Sequence, residues 1–163
     1  MSGVEWIVCE QTGRWAAALR MAINRSGIRP TTVHEVRSLA ELAARLVDCP
    51  AGLALMEVLP SDLGETLAWL PEARIAYPQA QFAGLLDTAA ANHETKTIVA
   101  AVLRAAGAFE VIDSPRDLHI VLDAGRCHAE AAQNRGVFQK AQQSLSDWAW
   151  ELLPWQPVKR PVA

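Results

Sequence analysis

Charge is scarce in this sequence and nearly balanced: 20% of residues are charged and the formal net charge is -3. A chain with no basic surplus has no electrostatic footprint for nucleic acid or for an anionic membrane surface. No apolar run reaches the roughly 20 residues that a bilayer-spanning helix needs, and the opening residues Met1 to Trp6 lack the basic and apolar regions of a secretory leader. These absences predict a cytoplasmic protein with no nucleic-acid or membrane partner.

Reactive motifs are missing as well. The cysteines, Cys9, Cys49 and Cys127, are odd in number and far apart, without a CxxC pair or metal-site spacing, so reduced, mostly buried thiols are expected. The glycines are scattered, and no GxGxxG or Walker A run follows a strand-like segment, which argues against a standard phosphate loop. No GxSxG elbow occurs, and nothing points to a base that would activate Cys9. His34, His93, His119 and His128 show no paired ligand spacing and read as surface histidines. The expectation is a non-enzyme with no cofactor and no metal centre.

What the chain does have is a regular alternation of strand-like and helix-like segments. Val4 to Cys9 is short, apolar and β-branched, and Gly13 to Ser26 follows with Trp15, Leu19, Ala22 and Ile23 at helical spacing, stopped by Gly27. Thr31 to Val36 is β-rich but polar at Thr32, His34 and Glu35, as an edge strand would be. Ser38 and Glu41 form a capping box ahead of a helix with Leu39, Leu42, Ala43 and Leu46 as its apolar stripe.

Gly52 to Met56 is almost continuously apolar, as a strand covered on both faces requires. A helix from about Leu63 to Tyr77 is expected to break or restart at Pro71. Gln81 to Leu86 reads as a fourth strand and Glu94 to Ala106 as a helix carrying Ile98, Val99, Val102 and Leu103. Ala108 to Ile112 reads as a fifth strand, and a last helix runs from Pro115 to about Asn134.

Five β-α units with short connections imply right-handed crossovers and an α/β, flavodoxin-like, doubly wound parallel sheet of order 2-1-3-4-5. That domain is assigned to residues 1–134 and a C-terminal helical extension and tail to 135–163.

Residues Arg104 to Pro115 read Arg-Ala-Ala-Gly-Ala-Phe-Glu-Val-Ile-Asp-Ser-Pro. This resembles the response-regulator receiver (CheY-like) family, in which a helix ends in an Ala-Gly-Ala turn, an apolar strand follows and a Lys-Pro pair closes it. The resemblance covers about 115 of the 163 residues. It implies a receiver fold with an acidic pair after the first strand, a phosphoacceptor aspartate after the third, a hydroxyl residue after the fourth and the lysine after the fifth.

At those places this sequence departs from the pattern. Val8-Cys9-Glu10 replaces the acidic pair, Met56 or Glu57 falls where the aspartate belongs, Leu86 or Asp87 falls where the hydroxyl belongs, and Ser114 precedes Pro115 in place of lysine. A magnesium site would lose hard oxygen ligands, and glutamate's extra methylene displaces a carboxylate from in-line phosphoryl geometry. Glu10 and Glu57 otherwise read as solvated carboxylates at loop starts, and Asp87 as a loop or helix cap. The resemblance thus implies a degenerate pseudo-receiver.

Beyond it, Phe138, Ala141, Leu145, Trp148, Leu152 and Trp155 recur at alternating spacings of three and four, an apolar seam for a second copy, a protein partner or the chain's own domain. The function expected is two-component signalling or scaffolding through protein-protein contacts, independent of phosphorylation. The alternative is a small-ligand or divalent-metal sensor using the pocket of Glu10, Glu57, Asp87 and Ser114.

Overall fold

The computed structural model describes residues 4–27, 31–86 and 92–152. Its elements are β1 (Val4–Cys9), α1 (Arg14–Ser26), β2 (Thr31–Val36), α2 (Leu39–Asp48), β3 (Leu53–Val58), α3 (Leu63–Ala76), β4 (Gln81–Leu86), α4 (His93–Ala106), β5 (Glu110–Ile112), a 3-10 turn (Pro115–Asp117) and α5 (Leu118–Leu152). The strands form one five-stranded sheet in the order β2-β1-β3-β4-β5, every pairing parallel. This is the doubly wound flavodoxin-like order that the alternation implied, with β2 at an edge.

Alternation along the central strands divides the core in two. Ile7, Cys9, Ala54, Met56 and Val58 face Leu42 and Leu46 of α2, Leu70 and Ala73 of α3 and Leu103 of α4. Trp6, Val8, Leu53 and Leu55 face Trp15, Leu19 and Ile23 of α1 and Leu118, Val121 and Leu122 of α5. The third strand is near-continuously apolar because both of its faces are covered.

Several local expectations change. α3 runs through Pro71 without a break: the proline is exposed while Leu70 and Ala73 are buried beside it, so its missing amide bond falls on the solvent side and the packed side holds the helix together. β3 continues two residues past Met56. Among the apolar residues of α4, Leu103 is buried, whereas Ile98 and Val102 are 58% and 40% exposed. The last helix does not stop near Asn134 but continues to Leu152, since no proline interrupts it and Gly136 costs a helix only about 1 kcal/mol. Of the thiols, only Cys9 is buried; Cys49 is half-buried and Cys127 exposed.

The Ala-Gly-Ala turn has a physical reason. Gly107 caps α4 at φ +121°, where an L side chain is strained. Its amide donates to the carbonyls of Leu103 and Arg104, and Ala108 donates to Leu103, ending the helix in the pattern that lets the chain turn into the next strand.

The chain divides into two compact units between Arg126 and Cys127. Within the first, Gly125 lies against β1: a Cβ there would stand 2.6 Å from Trp6 Cζ2 and 3.1 Å from Leu53 Cδ1. Gly125→Ala is therefore expected to destabilise by about 1–3 kcal/mol through overpacking, despite alanine's better helix propensity. Gly64 of α3 has open space around it, so Gly64→Ala is expected to stabilise slightly. Denaturant melts of both variants check the contrast; equal effects would contradict the packing account.

Candidate functional site at the carboxyl edge of the sheet

In doubly wound sheets, ligands collect outside the carboxyl ends of the strands. Here that edge holds a cleft of about 230 Å³ lined by Cys9, Glu10, Gln11, Arg37, Glu57 and Asp62, among others. Glu10 follows β1, yet it is only 1% exposed. Its two carboxyl oxygens accept from the amides of α1, Oε2 from Trp15 at 2.8 Å and Oε1 from Ala16 at 2.6 Å. α1 begins after Gly13 in the left-handed region, with no capping side chain of its own. A carboxylate from the preceding loop thus satisfies two of the helix's orphan donors and meets the positive end of its dipole. The expectation of a solvated Glu10 is corrected on this point.

Glu57 is half-buried and accepts from the Gln11 amide at 2.9 Å, while the Gln11 side chain donates to the Arg37 carbonyl at 2.9 Å. Arg37 in turn donates to the Glu10 carbonyl at 3.0 Å and approaches the Glu35 carboxylate at 3.8 Å. The expected capping box is present in modified form: Ser38 accepts from the Glu41 amide, but the Glu41 carboxylate accepts from Arg37 rather than from the cap residue. These bonds stitch together the loops after β1 and β2 and the end of β3.

Cys9 is buried, and burial, reinforced by the negative charges of Glu41, Glu57, Glu10 and Glu65, pushes its thiol up to about 11. It is a neutral thiol at physiological pH and therefore a weak nucleophile and a poor ligand.

The remaining sequence-chosen residues lie apart. Met56 pairs with Cys9 in the sheet register and is buried in the core. Ser114 accepts from the Arg116 amide at 3.2 Å and starts the 3-10 turn, with the exposed Pro115 as its first residue. Leu86 lines a different cleft, of about 420 Å³, with Lys96 and Arg104 of α4 and Asp113 after β5. Asp87 lies outside the described residues, as does Trp155, and the side chains of Phe138, Leu145, Trp148 and Leu152 lie outside the description of α5. Sequence reading missed Gln11, Arg37 and Asp62. Arg37 alone had a signal, its place just beyond the second strand at the switch-point edge.

Among solved structures, the chain is similar to a response regulator from Thermotoga maritima, with a TM-score of 0.60 at 19% identity over 78% of this chain and 98% of that one. A CheY-like protein (tadZ) from Pseudomonas aeruginosa PAO1 aligns with a TM-score of 0.58 at 16% identity, covering 76% and 94%. A response regulator from Hahella chejuensis aligns with a TM-score of 0.51 at 19% identity, covering 79% and 92%. The fold is that of a receiver domain. No family model matches the sequence, and no curated relative matches it.

The receiver fold implies a magnesium ion at this edge, and the two residues at the place of its acidic pair, Cys9 and Glu10, do not fit one. Magnesium demands near-octahedral oxygen ligation, whereas Cys9 offers a protonated sulfur and both Glu10 oxygens are engaged by backbone amides.

The raised Cys9 thiol fixes a pH dependence. The folded state holds the proton more tightly than the unfolded state, so the stability this contributes is complete below the ordinary thiol value of 9.0 and is lost as pH rises from there towards about 11. Its full size is roughly 2–3 kcal/mol. Cys9→Ala should be less stable than the parent at pH 7, and the gap should narrow between pH 9 and 11. Denaturant melts across that range check this; a constant gap would contradict it.

Proposed function

We propose that this receiver-fold protein is a signalling or scaffolding module that acts through protein contacts without being phosphorylated. The observation that carries the reading is the fate of the acidic pair. Its first member is a buried neutral thiol at Cys9, and its second, Glu10, is committed to capping α1. Phosphoryl transfer depends on metal-borne charge neutralisation and in-line positioning, and a neutral thiol beside a committed carboxylate supports neither. Ser114, where receivers place lysine, is occupied with the turn after β5.

Contact surface, by contrast, is available. Ile98, Val102 and Ile120 are 58%, 40% and 41% exposed, and the heptad-spaced stripe from Phe138 to Trp155 lies beyond the first compact unit. A strict three-four repeat is self-complementary between identical helices, so the occupant proposed for the stripe is a second copy of the chain. No helix among the described residues is long and apolar enough to cross a membrane.

Incubation with acetyl phosphate and magnesium, followed by intact-mass measurement, tests the phosphate part: no adduct is expected. A phosphoryl adduct that disappears in Glu57→Gln would overturn it.

Light scattering tests the contact part. The full chain is expected to be a dimer, and removal of residues from Val137 onward is expected to give a folded monomer, because all five strands and both core faces precede that point. An unchanged oligomeric state with reduced stability would instead mean that the stripe packs on its own domain.

A further inference from the structure

Away from the carboxyl-edge cleft, Glu5, His34 and Cys49 converge from three separate elements. One carboxylate oxygen, one ring nitrogen and the Cys49 sulfur lie within 4.8 Å of one another, all three residues half-buried. His34 Nε2 stands 2.8 Å from Glu5 Oε2.

The fold dictates this meeting. In the β1–β2 register Glu5 pairs with Thr32 and Ile7 with His34, so Glu5 and His34 share the sheet face of Ile7, which packs with Leu42 and Leu46 of α2. Cys49 is the C-cap of α2, and its carbonyl accepts from the Gly52 amide at 2.9 Å. A Cβ on Gly52 would lie 3.1 Å from that carbonyl and 3.5 Å from the Glu5 carbonyl, so the tight turn presses the end of α2 against β1.

We propose that Glu5, His34 and Cys49 form a three-residue zinc(II) site with water in the fourth position. Carboxylate, imidazole and thiolate are the ligand types zinc takes, at roughly 2.0–2.3 Å, which places tetrahedral ligand atoms about 3.3–3.7 Å apart; to reach this the Glu5–His34 pair, at 2.8 Å, must open slightly, and the wider separations, all within 4.8 Å, must close by at most about 1 Å. Magnesium and calcium are disfavoured by the sulfur and nitrogen donors. One carboxylate, one thiolate and one neutral imidazole balance the two positive charges. On binding, a zinc–sulfur bond forms, the thiol proton passes to solvent and nothing is oxidised. Arg45 and Asp48, paired with each other at 3.6 Å, are the other charged groups near Cys49 on α2. The bound ion would clamp the edge strand β2 and the end of α2 to β1. The site is independent of the function proposed above.

Cobalt(II) titration of the full reduced chain, followed by zinc displacement, tests the site. Expected is a one-to-one thiolate–cobalt charge-transfer absorption that zinc removes. It should vanish in Cys49→Ser and persist in Cys127→Ser, and affinity should weaken at least about 10-fold in His34→Gln and Glu5→Gln. Absence of the absorption in the parent chain, or its survival in Cys49→Ser, would overturn the proposal and leave Glu5 and His34 as an ordinary hydrogen-bonded pair. Should Cys49→Ser fail to fold, alkylation of the parent decides: zinc is expected to slow iodoacetamide modification of Cys49 at least about 10-fold relative to Cys127, and equal rates with and without zinc would overturn the site.

Discussion

The grip of Glu10 on the first turn of α1 is the constraint from which the carboxyl edge of this protein takes its form. Two charge-assisted bonds to amides, in a site closed to water, are each worth about 1.5–3 kcal/mol, and losing the carboxylate would leave buried donors without a partner. The cap residue Gly13 has no side chain to offer, and Thr12 Oγ1 accepts only from the Arg14 amide, at 3.4 Å, so the shorter Glu10 bonds fix where the helix starts and how it sits over Trp6 and Val8. Because the Glu10 carbonyl also receives Arg37, the same residue ties the loop after β1 to the loop after β2. A residue committed in this way is part of the scaffold.

The adjacent Cys9 works in the same direction. A carboxylate at position 9 would place a charge in the core cluster of Ile7, Ala54 and Met56, where desolvation is costly unless a cation compensates. A thiol there is small, apolar in behaviour and neutral. Without a cation, cysteine is the more stable occupant, and the acidic neighbours Glu57, Glu41 and Glu65 make it more reluctant to ionise.

Strand order was legible in the sequence because hydrophobic periodicity and short connections leave a doubly wound sheet few topologies. The turn at Gly107 was legible because its backbone angle demands glycine. The role of Glu10 was not, since a carboxylate capping a helix five and six residues on leaves no local signature of the Ser-x-x-Glu kind. Pro71 misled for the opposite reason: the local rule is sound, but Leu70 and Ala73 pack on the other side of α3 and tertiary contact overrides it. The cluster of Glu5, His34 and Cys49 was invisible to any spacing rule, because its members meet only through the β1–β2 register and the turn at Gly52.

The α1–α5 face shows how the scaffold accommodates an imperfect fit. Trp6 and Trp15 are both fully buried, and neither indole N–H has a partner among the described residues, a desolvation cost of about 1–3 kcal/mol for each. Burying two indole rings returns more than this, since each removes some 150–250 Å² from water at about 25 cal/mol per Å². That return depends on helix and sheet approaching closely, and Gly125 provides the room by placing no side chain against the Trp6 ring. The carboxylate of Glu10 sets α1 from its amino end, accepting from the Trp15 amide itself. The two tryptophans are therefore held by a cap on one and a missing side chain opposite the other, and both devices lie within the first compact unit.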